Sequence, residues 1–176
     1  QDFRLLLGHS LEAWQQTDGA FNPAIQPVWQ FLARHFDGPD RDRAPDPLDL
    51  GRKLALCDPG RIALTPNRVR LAPGMALTFN GIAQGYITDR VATIFESRGL
   101  RDILVDLGEI RALPGRSWSV AVAGSDQTVD LSRRAAAQSA GLATRFTTDG
   151  RWHHLIDPVS GHSANSYRSV TIAAGR

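Results

Sequence analysis

Cysteine is almost missing from this chain: Cys57 is the only one in 176 residues. A single thiol excludes an internal disulfide and any thiolate-based metal cage, and it leaves the compartment unreadable from cysteine usage. Long apolar runs are missing too. No segment approaches the roughly 18 consecutive apolar residues that a membrane-spanning helix needs, and no charged-then-apolar leader opens the chain. Charge of one sign is also scarce. Twenty Lys and Arg stand against eighteen Asp and Glu, a formal +2, and the basic residues are dispersed with no run that tracks a phosphate backbone. Nucleic acid is therefore not an expected partner.

What is present is the composition of a folded domain. Hydrophobic residues make up 42% of the chain, which is long enough for one full core or two small lobes. The first residue is Gln1 rather than Met and the last residues, SVTIAAGR, read as a strand that has just ended, so both ends are expected to belong to a longer protein.

Phe3, Leu7, Leu11 and Trp14 recur at the spacing of one helical face, and Thr17-Asp18-Gly19 stops that helix. A second helix is expected from Pro23 to about His35, with Asn22 as N-cap and Ile25, Val28, Trp29 and Leu32 as its buried stripe. Residues 38–47, GPDRDRAPDP, form a charged, proline-rich surface loop and the one linker candidate. Residues 62–64 and 69–71 flank a short turn, which predicts a hairpin, and residues 75–79 add a strand. A helix over 81–98 is expected to bury Ile87, Val91, Ile94 and Phe95, with Gly99 closing it. Short strands in meander style follow at 102–107, 110–113, 118–123, 129–131, 135–140, 145–148, 152–156 and 167–173. Two helices, then strands and a helix, then a run of strands without regular alternation predict an α+β fold with largely antiparallel sheet. No internal repeat is visible.

Three stretches carry candidate chemistry. Residues 77–89, LTFNGIAQGYITD, read as a strand that breaks at Asn80-Gly81 and re-enters a helix, aiming backbone N–H groups at one point where a phosphate or a carbonyl-held cation is accommodated. The plain alternative is structural, with Gly85 letting the helix lie close to the sheet. Residues 17–23, TDGAFNP, are a turn feeding a helix start, for which ordinary capping is the simple account. Residues 153–161, HHLIDPVSG, end in an Asp-Pro-x-x-Gly tight turn, beside which the two histidines are equally readable as ordinary strand residues.

Taken together and in order, these stretches, with ILVDLGEIRALPG and the HSANSYRSVTIAA that follows, resemble the ApbE family of flavin transferases, which take FMN from FAD and attach it to a protein threonine. The resemblance covers nearly the whole chain and implies one domain over 1–176, helices packed on antiparallel sheet in a T-fold-like architecture. By that resemblance Ala20, Phe21 and Asn22 contact FAD, with Asn22 standing where an acidic residue is usual. Thr78 stands for a cofactor-contacting Asp, Asn80 for a Gly and Gln84 for a Lys, while Gly81 keeps the glycine whose carbonyl binds magnesium. Ile156 lines the flavin nucleotide site, and His154 matches the histidine near the acceptor hydroxyl. The family's remaining magnesium ligands, an Asp and a Thr, fall past the SVTIAA strand, and its flavin-sandwiching region precedes the first helix.

The chemistry agrees with these roles. Transfer from a pyrophosphate needs its negative oxygens neutralised and held in line, for which Mg2+ with oxygen ligands is suited. A threonine hydroxyl needs a base, and histidine is the side chain matched to that step near neutral pH, with Asp157 as its expected orienting partner. The resemblance also implies an extracytoplasmic setting and a threonine-bearing redox protein as acceptor. Two other readings stay open: a non-catalytic FAD-binding relative, favoured by the substitutions at Asn22, Thr78 and Gln84, and an FAD pyrophosphatase that releases FMN and AMP to water.

Overall fold

The computed structural model describes residues 2–175. They fall into two compact units, residues 2–79 with 141–168, and residues 80–140 with 169–175.

The first unit is mainly helical. Helix α1 (Asp2–Gln16) buries Leu7 and Ser10, and Gly19 at φ 87° donates its N–H to the Trp14 carbonyl as the helix ends. Helix α2 (Gln26–Asp37) starts three residues later than the expected Pro23. Its N-cap is Ile25, without a side-chain cap, and Pro27 occupies its first turn. Asn22 is therefore not the N-cap: its Oδ1 accepts from Ala24 N–H at 2.8 Å, an Asx turn that leads into the helix. Helix α3 (Pro47–Leu54) was not expected at all. Asp46 accepts from the N–H groups of Leu48 and Asp49, and Pro47 follows it in the first turn, so the end of the charged loop is a helix start.

Val28, Leu32, Phe36, Leu50 and Cys57 form the core of this unit, with Phe146, Trp152 and Ile156 packed against it. Each such aliphatic side chain contributes about 1.5–3 kcal/mol when fully buried. The expected hairpin is present as β1 (Ala63–Leu64) and β2 (Val69–Arg70). Residues 75–79 are not a strand: Thr78 N–H is spent on the Pro23 carbonyl at 2.9 Å rather than on a neighbouring strand. The expected strands 145–148 and 152–156 are reduced to the isolated bridges Arg145 to His153 and Ile156 to Ser163.

The second unit holds helix α4 (Ala83–Ser97) and an antiparallel sheet of β3 (Leu104–Asp106), β4 (Ile110–Ala112), β7 (Ala135–Ala140) and β8 (Ser169–Ala174), in the order β3-β4-β7-β8. A separate hairpin, β5 (Trp118–Ala121) with β6 (Thr128–Leu131), is inserted between β4 and β7, so the strands are not a simple meander. The buried face of α4 also differs from the expected one. Thr88 and Ala92 are buried, with Val91 and Phe95 partly so, while Ile87 and Ile94 are 52% and 47% exposed. Ala92 meets Val105 and Leu113, and Thr88 Oγ1 donates to the Gln84 carbonyl within the helix. The small residues face the sheet and let the helix lie close to it.

Candidate functional site

The HHLIDPVSG stretch sits at the middle of a small ribbon in the first unit. On one side Phe146 N–H donates to the Trp152 carbonyl at 2.8 Å and His154 N–H to the Thr144 carbonyl at 3.0 Å. On the other, Asp157 N–H donates to the His162 carbonyl and Ala164 N–H to the Leu155 carbonyl, both at 2.8 Å. The segment carrying His154 is thus held from both edges.

His154 is half-buried, and its Nδ1 lies 3.1 Å from the Thr144 carbonyl oxygen. A carbonyl only accepts, so Nδ1 carries the proton and donates it, and in the neutral ring Nε2 is left with a lone pair. That is the tautomer a general base needs. The orienting group is this carbonyl and not the expected Asp157. Asp157 turns inward on its own tight turn, accepting from Val159 N–H at 3.0 Å and from Ser160 Oγ–H at 2.6 Å. The Ser160 hydroxyl first, and then the Val159 N–H, hold its carboxyl below the usual carboxylate range.

Ile156 is partly buried and packs against the Val28–Leu32–Phe36 core, which fixes the segment that carries the histidine. In the loop after α1, Thr17 Oγ1 accepts from Phe21 N–H at 3.0 Å, leaving Ala20 exposed and Phe21 half-buried. The amide of Asn22 is turned into the protein. Its Nδ2 donates to the Cys57 carbonyl at 2.8 Å while Oδ1 holds Ala24 N–H. Burial pushes the neighbouring Cys57 thiol up to about 11, so it stays a protonated, inert core group at neutral pH. A cleft of about 420 Å3, lined by Phe31, Arg34, His35, Lys53 and Leu56 among others, also lies in this unit, and no residue expected at the site lines it.

The stretch 77–89 divides between the units after Phe79, so Thr78 belongs to the first and Gly81 and Gln84 to the second. Gly81 is exposed in the turn before α4. Gln84, on the first turn of α4, lies against Gly108: a Cβ there would come within 2.6 Å of Gln84 Nε2, and Gly108 has φ 95°. Among the described residues no group of three or more His, Cys, Asp or Glu gathers to hold a metal ion. One glycine carbonyl is a single oxygen of the about six that magnesium takes, so this donor set does not by itself make a magnesium site.

Sequence reasoning treated His153 as an ordinary strand residue and passed over Thr144, Ser163 and Asn165. Thr144 meets the candidate base through its backbone carbonyl, and the His153 ring lies edge-on to it at 6.3 Å between centroids; a carbonyl leaves no signal in a residue type.

Comparison with known proteins identifies the family. The family description that matches residues 1–176 is that of the ApbE family. The FAD:protein FMN transferase of Treponema pallidum (strain Nichols) is 31% identical over 204 residues, covering 97% of this chain and 55% of that protein. The enzyme of the same name from Klebsiella pneumoniae (strain 342) is also 31% identical, over 88% of this chain and 52% of its own length. The chain therefore spans about half the length of the curated relatives it matches. Among solved structures, the ApbE protein of Thermotoga maritima superposes with a TM-score of 0.84 at 26% identity, over 99% of this chain and 60% of that one. The apo flavinyl transferase ApbE of Pseudomonas stutzeri gives 0.80 at 24% identity, over 99% and 57%, a likeness of fold. Because the family match runs from the first residue to the last, across the α1 turn, the α4 start and the HHLIDPVSG ribbon alike, this chain is a member of the ApbE family.

Proposed function

We propose that this chain carries the acceptor-activating part of a flavin transferase that moves FMN from FAD to a threonine of a redox protein. The observation that carries the reading is His154, whose Nδ1–H is tied to the Thr144 carbonyl and whose Nε2 is therefore the basic nitrogen. In the proposed step Nε2 takes the proton of the threonine hydroxyl. The oxygen attacks the FMN-side phosphorus, the bond to the bridging oxygen breaks, and AMP leaves with that electron pair. The names of the curated relatives support this reaction class.

The rest of the reading follows the resemblance. Ala20, Phe21, Asn22, Thr78, Gln84 and Ile156 would meet FAD, and the Gly81 carbonyl would supply one oxygen to magnesium. The setting would be extracytoplasmic, and no helix among the described residues is long and apolar enough to cross a membrane.

A second reading, a non-catalytic FAD-binding relative, is favoured by one observation: the Asn22 amide already serves the Cys57 carbonyl and Ala24 N–H. One assay separates the readings. The protein is incubated with FAD, magnesium and a threonine-bearing acceptor domain, and both a fluorescent covalent adduct and free AMP are measured. Adduct with AMP is the expected result, AMP alone indicates a pyrophosphatase, and bound FAD with neither product overturns both enzyme readings. His154→Ala is expected to lower transfer by about 10²–10⁴-fold while FAD binding stays within twofold or so, since only the proton-transfer step loses its partner. Unchanged transfer in that variant rules out His154 as the base.

A further inference from the structure

We propose that His153, the neighbour of the candidate base, is a positioning residue: its enclosed imidazole locks the backbone on both sides of His154 and so presents His154 in one orientation and one tautomer. The proposal rests on the reading of His154 as the base, but its physical content is the state of the His154 ring.

His153 is 3% exposed. Its N–H donates to Ser163 Oγ at 2.7 Å, and the same hydroxyl donates back to the His153 carbonyl at 2.8 Å, so one buried serine closes both main-chain groups of this residue. The next link passes over His154. Leu155 N–H donates to His153 Nδ1 at 3.2 Å, which requires Nδ1 to be the unprotonated nitrogen. Burial favours that neutral ring, holding its pKa below the ordinary histidine value. The residues before and after His154 are thereby tied to one side chain.

The ring also reaches the group that orients His154. It lies against Gly141, where a Cβ would come within 2.8 Å of Nε2. Gly141 opens the 3-10 turn Gly141–Ala143, and the next residue is Thr144, whose carbonyl accepts from both the N–H and the Nδ1–H of His154. Asn165 completes the frame by donating to the Arg151 and Ser163 carbonyls, both at 3.0 Å. His153 thus touches both ends of the device: the main chain that carries His154 and the turn that leads to its acceptor.

The test reads tautomers directly. In histidine-labelled protein, nitrogen–proton correlation spectra are expected to show neutral His154 protonated on Nδ1. In His153→Phe that signal is expected to become a mixture, with kcat for transfer down about tenfold and KM for FAD within about twofold, since orientation and not binding is lost. His153→Asn keeps an acceptor for Leu155 N–H and is expected to restore both readouts. An unchanged His154 signal in His153→Phe, or Asn and Phe variants equally impaired, overturns the proposal. If His153→Phe does not fold, Ser163→Ala decides, with an unaltered His154 spectrum again counting against it. A wild-type protein without transfer activity would defeat the transferase reading alone, because the tautomer comparison needs no turnover.

Discussion

Asn22 shows how one atom decides what a position does. The family resemblance places an acidic residue there, yet Nδ2 donates to the Cys57 carbonyl at 2.8 Å, a bond that no carboxylate makes. Asn22→Asp would set a carboxylate oxygen against that carbonyl, so it is expected to destabilise the protein by about 1–3 kcal/mol, read as a lowered urea midpoint. An equal or higher midpoint would mean that the bond to Cys57 does not hold the loop. The same residue marks the limit of sequence reading. The spacing of Asn22 and Pro23 before an apolar stripe resembles a cap, but the acceptor of its amide N–H lies 35 positions away, and no local pattern reports it. His154 is the opposite case. Its type and motif made it the candidate base, whereas the tautomer came from a carbonyl ten positions earlier.

At the level of elements, α4 shows what periodicity conveys and what it does not. The helix is present close to where the 3.6-residue pattern placed it, and Gly99 at φ 74° ends it as expected. Its buried face is rotated, because close packing on β3 and β4 selects Thr88 and Ala92 over the larger Ile87 and Ile94. Size at a crowded interface outweighed hydrophobicity. The same closeness sets Gln84 on Gly108. Gly108→Ala adds a Cβ within 2.6 Å of the amide at φ 95°, so a loss of about 1–3 kcal/mol is expected from strain and displacement together. Adding Gln84→Ala should recover the displacement part and leave the strain, which a double-mutant cycle in urea would separate. Strict additivity would show that the amide yields freely. The missed helix α3 was legible after all: Asp46 and Pro47 are an N-cap and a first-turn proline, concealed by the charged residues before them.

At the scale of the whole molecule, the first unit is built from two separated stretches of chain, and its ribbon supplies a pH dependence. Well above about pH 6.5 the His153 ring is neutral in folded and unfolded chains alike. As pH falls from there, the unfolded chain gains a proton that the buried ring resists, so this contribution to stability declines until pH passes below the depressed folded value. Asp157 acts lower: its stabilisation is complete above the ordinary carboxylate value and is lost as pH falls through its depressed one. Urea midpoints measured from pH 8 to 4 should therefore begin to fall below about 6.5. His153→Asn should remove that first decline, and a variant that keeps it would assign the decline to another group. The sequence by itself determined the class of fold and most helices, because hydrophobic spacing and turn residues are local properties. Only the tertiary structure decided which face of α4 is buried, that β4 pairs with β7 across an inserted hairpin, and which nitrogen of His154 carries the proton. Each of those depends on atoms brought together from distant parts of the chain, where side-chain size and backbone carbonyls act and residue spacing is silent.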